Sequence, residues 1–335
     1  MPEIRLNPIT GDWVIIATER AKRPEDFVHK KERKEMPSFV ATCPFCPGNE
    51  DKTPSETHSI GGENGKWLVR SVPNKFSALS PVGEILKNKT KFKQNISGVG
   101  LHEVIIETPL HNMTTALLSL DHIEKILYMY RHRLIAFYED ERIEHVIIFK
   151  NHGASAGTSL EHPHSQIVGT PVFPGQVMNR LGEAIRNYYY VDFGECLYCS
   201  CLKTELEDKE RIIEENDAFV AFIPYAALSP FHIWIFPKTH SASYGLITDR
   251  EITLLATILK NILLRLYTGL DNPDFNYVVR TLSPRGADAK YFHWYIAIVP
   301  RVSQVAGFEM GTGMFINTAL PEASAKFLQE IKLPV

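Results

Sequence analysis

Four of the five cysteines in this 335-residue chain fall into two C-x-x-C turns, Cys43-Pro-Phe-Cys46 and Cys196-Leu-Tyr-Cys199. So few cysteines, and an odd number of them, do not make a disulfide framework, so the pairs point to metal or redox chemistry in a reducing compartment. Each pair is followed by the same succession: a histidine, an amphipathic helix, a strand and a second histidine. The interval from His111 to His162 (51) nearly matches that from His240 to His293 (53). A long-period duplication restricts the fold to two similarly built halves. We place them at 1–175 and 176–335.

The local patterns fill in the halves. In the first, His102–Thr108 and His145–Phe149 are β-branched runs that read as strands, as does Glu161–Val168. Between the first two, Ile123, Ile126, Leu127, Tyr130, Leu134 and Phe137 recur at helical steps, with Asp121 and Glu124 as the expected cap. In the second, Phe231–Phe236, Phe275–Val279 and His293–Ile298 read as strands. A helix starts near Thr248, which stands at capping-box spacing from Glu251, and carries Ile252, Leu255, Leu259, Ile262, Leu263 and Leu266 on one stripe. Lys30–Gly65, rich in Lys, Glu, Pro, Ser and Gly, reads as a long loop ordered only by a metal. The fold class is α+β: antiparallel sheets with packed helices, one sheet per half.

Composition excludes some functions. With 36 Lys+Arg against 39 Asp+Glu, net −3, there is no basic field of the kind a dedicated nucleic-acid binder carries. The start, Met1-Pro2-Glu3-Ile4-Arg5, is not that of a secretory signal, and no run approaches 18 uncharged apolar residues. A cytoplasmic protein without membrane or nucleic-acid partners is expected.

Two thiols from one turn and two imidazoles from elsewhere form a Cys2His2 set suited to tetrahedral zinc. The sets are Cys43, Cys46, His111 and His162, then Cys196, Cys199, His240 and His293. Four protein ligands leave no open position, so one or two structural Zn2+ ions are expected; the rival reading of each turn is a thioredoxin-like redox pair. Cys201 is left as a spare thiol. His102, His122, His132, His145, His152 and His232 read as ordinary histidines.

His162-Pro-His164-Ser-Gln166 follows a loop of small residues, Asn151-His-Gly-Ala-Ser-Ala-Gly-Thr-Ser159. In a strand His162 and His164 share a face. Gly153, Ala154, Ala156 and Gly157 allow backbone amides to approach an anion. A neutral imidazole beside a phosphate cradle can act as a nucleophile. Both histidines could instead ligate one metal; the favoured division gives His162 to the metal and His164 to the chemistry.

This segment resembles the H-P-H-x-Q motif of the galactose-1-phosphate uridylyltransferases, a branch of the histidine-triad superfamily. The resemblance extends along the chain through Arg20-Ala-Lys-Arg23-Pro24, Cys43-Pro-Phe-Cys46, Val72-Pro-Asn74-Lys75-Phe76, Asn151 with its loop, Pro237-Lys-Thr-His240 and Ala306-Gly-Phe-Glu309-Met-Gly-Thr-Gly313. It implies tandem histidine-triad-like repeats and ping-pong nucleotidyl transfer from a UDP-hexose to a hexose 1-phosphate, with a uridylyl-His164 intermediate. It further implies that Gln166 and Ser159 assist the transferring phosphoryl group, that Arg20 and Arg23 meet phosphate, that Asn74 and Phe76 face the nucleotide and that Glu309 faces the sugar. A homodimer completed by the partner's C-terminal segment is expected. Tyr295 stands where a second intact motif would repeat the histidine, so the second half should be non-catalytic. Lys75 replaces an acidic residue of some relatives, and Thr158 a cysteine. Relatives with the same H-x-H-S-Q and G-F-E-x-G-T-G segments are ADP-glucose phosphorylases, the first alternative. A nucleotide-binding protein without turnover is the second.

Overall fold

The computed structural model describes residues 1–17, 23–28, 36–62, 66–175, 177, 182–286 and 289–333. Its body is a ten-stranded antiparallel sheet. From edge to edge the strands are His58–Gly61, Trp67–Pro73, Leu101–Ile106, His164–Thr170, His145–His152, Phe275–Arg280, Tyr295–Pro300, Ile233–Pro237, Phe219–Phe222 and Ile212–Glu215. Five strands come from each half, in mirrored order. The expected separate sheets are thus fused: the innermost strands of the halves pair from Phe275 with His152 to Val279 with Ile148.

The helices Leu120–Phe137 and Asp249–Gly269 pack against each other and against the sheet. All six residues of the first apolar stripe are buried, as are all six of the second. The Thr248–Glu251 capping box forms as expected. The first helix is capped two residues earlier than expected, by Ser119, whose Oγ accepts the His122 N–H (3.3 Å); Asp121 and Glu124 lie inside it. Asp249–Gly269 is long and apolar enough to cross a bilayer, but its stripe faces the protein core.

Strand limits shift where backbone donors run out. The strand expected from Glu161 begins at His164, because Pro163 has no N–H to offer the ladder and only its carbonyl is used, by Glu107 N (3.1 Å). The region taken as one loop from Lys30 to Gly65 contains, among its described residues, the turn Glu50–Lys52 and the edge strand His58–Gly61. Glu3–Leu6, Trp13–Ile16 and Phe315–Asn317 form a small sheet that brings both ends of the chain against the second half. There Arg5 and Arg211 share the carboxylate of Glu322, at 2.8 and 3.0 Å.

Candidate active site and metal centres

The first metal set converges. Cys43, Cys46, His111 and His162 are buried, with their donor atoms all within 4.8 Å of one another. His162 Nε2 bonds the Thr108 carbonyl (2.7 Å), which turns Nδ1 toward the thiols. That Nδ1 lies 3.3 Å from His111 Nδ1, 3.7 Å from Cys43 Sγ and 3.6 Å from Cys46 Sγ. A tetrahedral ion with metal–sulfur and metal–nitrogen bonds of zinc length needs about 3.3 Å between nitrogens and about 3.5 Å between sulfur and nitrogen. The set therefore fits such an ion. Burial raises the Cys43 thiol, so a cation is what would draw it to the thiolate.

Of the second set, three residues converge as the first set does, with His293 outside that group. Cys196, Cys199 and His240 form one cluster, and His293 Nδ1 stands 3.2 Å from Cys199 Sγ. The two imidazoles cross at 72° with centroids 5.4 Å apart, against 78° and 5.2 Å for His111 and His162. A hydrogen bond from Cys199, aided by His240 and opposed by burial, pulls Cys196 down to about 5, while the same hydrogen bond and burial push Cys199 up, so thiolate character falls on Cys196 alone. Burial pushes the spare thiol Cys201 up to about 12, which leaves it unreactive.

His164 opens its strand opposite Ile106 and is 7 % exposed. Its Nδ1–H donates to the His162 carbonyl (2.8 Å), so the lone pair is on Nε2. Burial lowers its pKa against the pull of that hydrogen bond, and the Lys150 cation adds to the lowering. The imidazole is therefore neutral and nucleophilic near neutral pH. Beneath it, Lys150 Nζ donates to Glu107 Oε2 (2.6 Å) and reaches the His164 carbonyl (3.3 Å). Burial works to raise the Glu107 carboxyl, but Lys150, Thr115 and Ser165 together hold it below the usual range. This ion pair, 1 % and 0 % exposed, has no sequence motif and went unpredicted. Tyr130 joins it, its hydroxyl 2.8 Å from Ser165 Oγ and 3.2 Å from Glu107 Oε1.

The glycine loop makes one 3-10 turn, Ala154–Ala156, between Gly153 (φ 83°) and Gly157 (φ 86°). Both positions are left-handed, and a Cβ on Gly153 would come within 2.0 Å of Asp274 Oδ1. Asp274 accepts the Ser155 N–H (2.7 Å). Asn276 donates to Asn151 Oδ1 (2.7 Å) and to the Ala156 carbonyl (2.8 Å). The second half thus grips the loop of the first. Ser159 is exposed beyond it.

Gln166 shares the face of His164, and its Oε1 lies 2.8 Å from His102 Nε2. Asn74 Nδ2 lies 3.0 Å from the same nitrogen, and Asn74 Oδ1 accepts the N–H of the exposed Phe76 (2.9 Å). His102, read from sequence as ordinary, links two expected site residues; its period-two position relative to Val104 and Ile106 was the available signal. Arg20 lies outside the described residues. Arg23 precedes the turn Pro24–Phe27, whose Phe27 ring packs against Phe231. Glu309 is on the exposed helix Gly307–Thr312 and accepts the Ala306 N–H (2.9 Å). No described contact ties Arg23 or Glu309 to the His164 site. In the second half Tyr295 opens its strand where His164 opens the matching one in the first, and it is stacked on Phe236 with centroids 4.8 Å apart.

Comparison with known proteins agrees with this architecture. A family profile for the N-terminal domain of galactose-1-phosphate uridyl transferase matches residues 1–174, and one for its C-terminal domain matches 183–332. The ADP-glucose phosphorylase of Arabidopsis thaliana is 36 % identical over 99 % of this chain and 93 % of its own length. The galactose-1-phosphate uridylyltransferase of Thermotoga maritima is 29 % identical over the full length of both. The crystal structure of an Arabidopsis thaliana ADP-glucose phosphorylase with bound ADP-glucose superposes with a TM-score of 0.83 at 34 % identity, covering 99 % of this chain and 100 % of that one.

Proposed function

Because the chain belongs to the galactose-1-phosphate uridyl transferase family, we propose that it is a nucleotidyltransferase acting by ping-pong exchange between a UDP-hexose and a hexose 1-phosphate. The observation that carries this is His164: its Nδ1–H is engaged by the His162 carbonyl and its Nε2 has no hydrogen-bond partner among the described residues, on the strand that follows a glycine loop. Nε2 attacks the α-phosphorus, the N–P bond forms, and the bond to the bridging oxygen breaks. Hexose 1-phosphate leaves with that electron pair. The second hexose 1-phosphate then attacks the uridylyl-histidine and restores the imidazole. The leaving phosphate is weakly basic, so the demand on the protein is positioning and charge stabilisation. Gln166, Ser159 and the amides of Gly153–Gly157 supply donors; one oriented donor typically contributes about 3 kcal/mol to the barrier.

Zinc is the ion we assign to both Cys2His2 sets, on their donor chemistry and on the spacing of the first. Its part when bound is structural: it ties the Cys43 turn to the residue two places before His164. Asn74 and Phe76 would face the nucleotide. Arg20 and Arg23 would meet phosphate, and Glu309 would meet the sugar in the site of a partner chain, since it lies on an exposed helix of its own second half. A cytoplasmic homodimer is the assembly this supports.

The 36 % identity to the phosphorylase, against 29 % to the bacterial uridylyltransferase, favours a second reading: adenylyl transfer from ADP-glucose to inorganic phosphate. Intact-mass measurement after mixing with UDP-glucose or ADP-glucose separates the two. A uridylyl adduct absent in His164→Ala supports the first reading and an adenylyl adduct alone the second. No adduct with either leaves a nucleotide binder without turnover.

A further inference from the structure

We propose that His102 is a positioning residue, held as its Nε2–H tautomer, which sets Gln166 to present its N–H groups to the transferring phosphoryl group. The inference deepens the proposed function, since it rests on that amide facing the substrate.

His102, Val104 and Ile106 share one face of their strand, and Gln166 and His164 face the same way on the next, in register with Val104 and Ile106. The backbone also ties His102 to Asn74, whose N–H donates to the His102 carbonyl (2.8 Å). Two amide groups then claim one ring nitrogen. Gln166 Oε1 is 2.8 Å from Nε2 and needs a proton there; Asn74 Nδ2 is 3.0 Å away and would need a lone pair. The orientation of Asn74 is fixed, because its Oδ1 takes the Phe76 N–H. One nitrogen cannot satisfy both.

The other ring nitrogen decides between them. His102 Nδ1 is buried and has no hydrogen-bond partner among the described residues. A proton there would be a buried, unused donor, and the bare Nε2 would set its lone pair against that of Gln166 Oε1. Placing the proton on Nε2 removes both costs, at the expense of the Asn74 Nδ2 contact and of an unfilled acceptor at Nδ1. The consequence reaches the chemistry. With its oxygen occupied, Gln166 has only its NH2 to offer a phosphoryl oxygen. Without His102 the Gln166 amide is free to turn and present its oxygen to an anion.

Two measurements test this. Nitrogen-15 NMR of the histidine side chains in the free enzyme should show His102, identified by its loss in His102→Gln, as the Nε2–H tautomer; the Nδ1–H form overturns the proposal. Single-turnover formation of the His164 adduct, with whichever nucleotide sugar loads the wild type, should slow at least tenfold in His102→Ala. Nucleotide affinity should change less than threefold, and His102→Gln, which keeps a donor, should recover most of the rate. Equal losses in both variants, or a loss explained wholly by weaker binding, overturn it. Absence of any adduct in the wild type would instead refute the proposed function and leave the tautomer measurement decisive for His102.

Discussion

The ring of Phe45, inside the first C-x-x-C turn, packs edge-on against that of His164 with centroids 5.4 Å apart. It also meets His162 at 6.0 Å. One aromatic side chain therefore touches both a proposed metal ligand and the proposed nucleophile, and couples the order of the turn to the aim of the imidazole. In Phe45→Ala the ring of His164 loses its wall. Adduct formation should slow about tenfold while bound metal is retained, since a misaimed reacting group readily costs that much. A normal rate would mean that the strand alone positions His164.

Metal content gives a direct check on the clusters. The wild type should carry two equivalents of zinc, and Cys43→Ser and Cys196→Ser should each retain about one. Cys43→Ser should also lose adduct formation, whereas Cys196→Ser should lower the melting temperature and spare chemistry. Unchanged metal in both variants would sink the assignment.

Gly153 and Asp274 make a steric pair across the two halves. Gly153→Ala places a methyl where the carboxylate lies and forces alanine to φ 83°; a loss on the order of 2 kcal/mol is expected from backbone strain alone. Asp274→Ala removes the acceptor of Ser155 N–H and should raise the KM for the nucleotide sugar several-fold. Combining the two should destabilise by less than the sum, because Asp274→Ala removes the clash. Strict additivity in urea unfolding would show that the loop is held otherwise.

His145 is 4 % exposed, and burial, helped by the Arg280 cation, brings its pKa down to about 4. In the unfolded chain it titrates near 6.5, so between those values the unfolded state binds more protons. Stability is then full above about pH 6.5 and falls as pH drops toward 4, by roughly 3 kcal/mol from this residue. His145→Phe should remove that part of the slope when urea midpoints are compared across pH 4–7. An unaltered slope would refute the assignment.

The repeat was legible because it rests on features that survive without neighbours: cysteine spacing, helical stripes and β-branched runs. The Thr248 cap and both apolar stripes follow from local periodicity. Fusion of the half-sheets was not legible, since pairing His145–His152 with Phe275–Arg280 joins positions over a hundred residues apart and leaves no local trace. The site divides in the same way. The four converging residues of the first metal set and His164 carried motifs. Lys150, Glu107, Phe45, Asp274 and His102 act through contacts between distant strands and turns, and a lone lysine or histidine looks the same whether it is solvated or buried. Arg23 and Glu309 were assigned by resemblance, and no contact among the described residues ties them to His164.

The pairing at the centre of the sheet also governs what a shortened gene could yield. A polypeptide stopping near residue 175 would present His145–His152 as an eight-residue open edge, with its ladder amides bare and Asn151 without Asn276. Such a fragment has two outlets, self-association through that edge or precipitation. The second half thus closes an edge that the first would otherwise expose, and the two together resemble a dimer that covalent linkage has made obligatory.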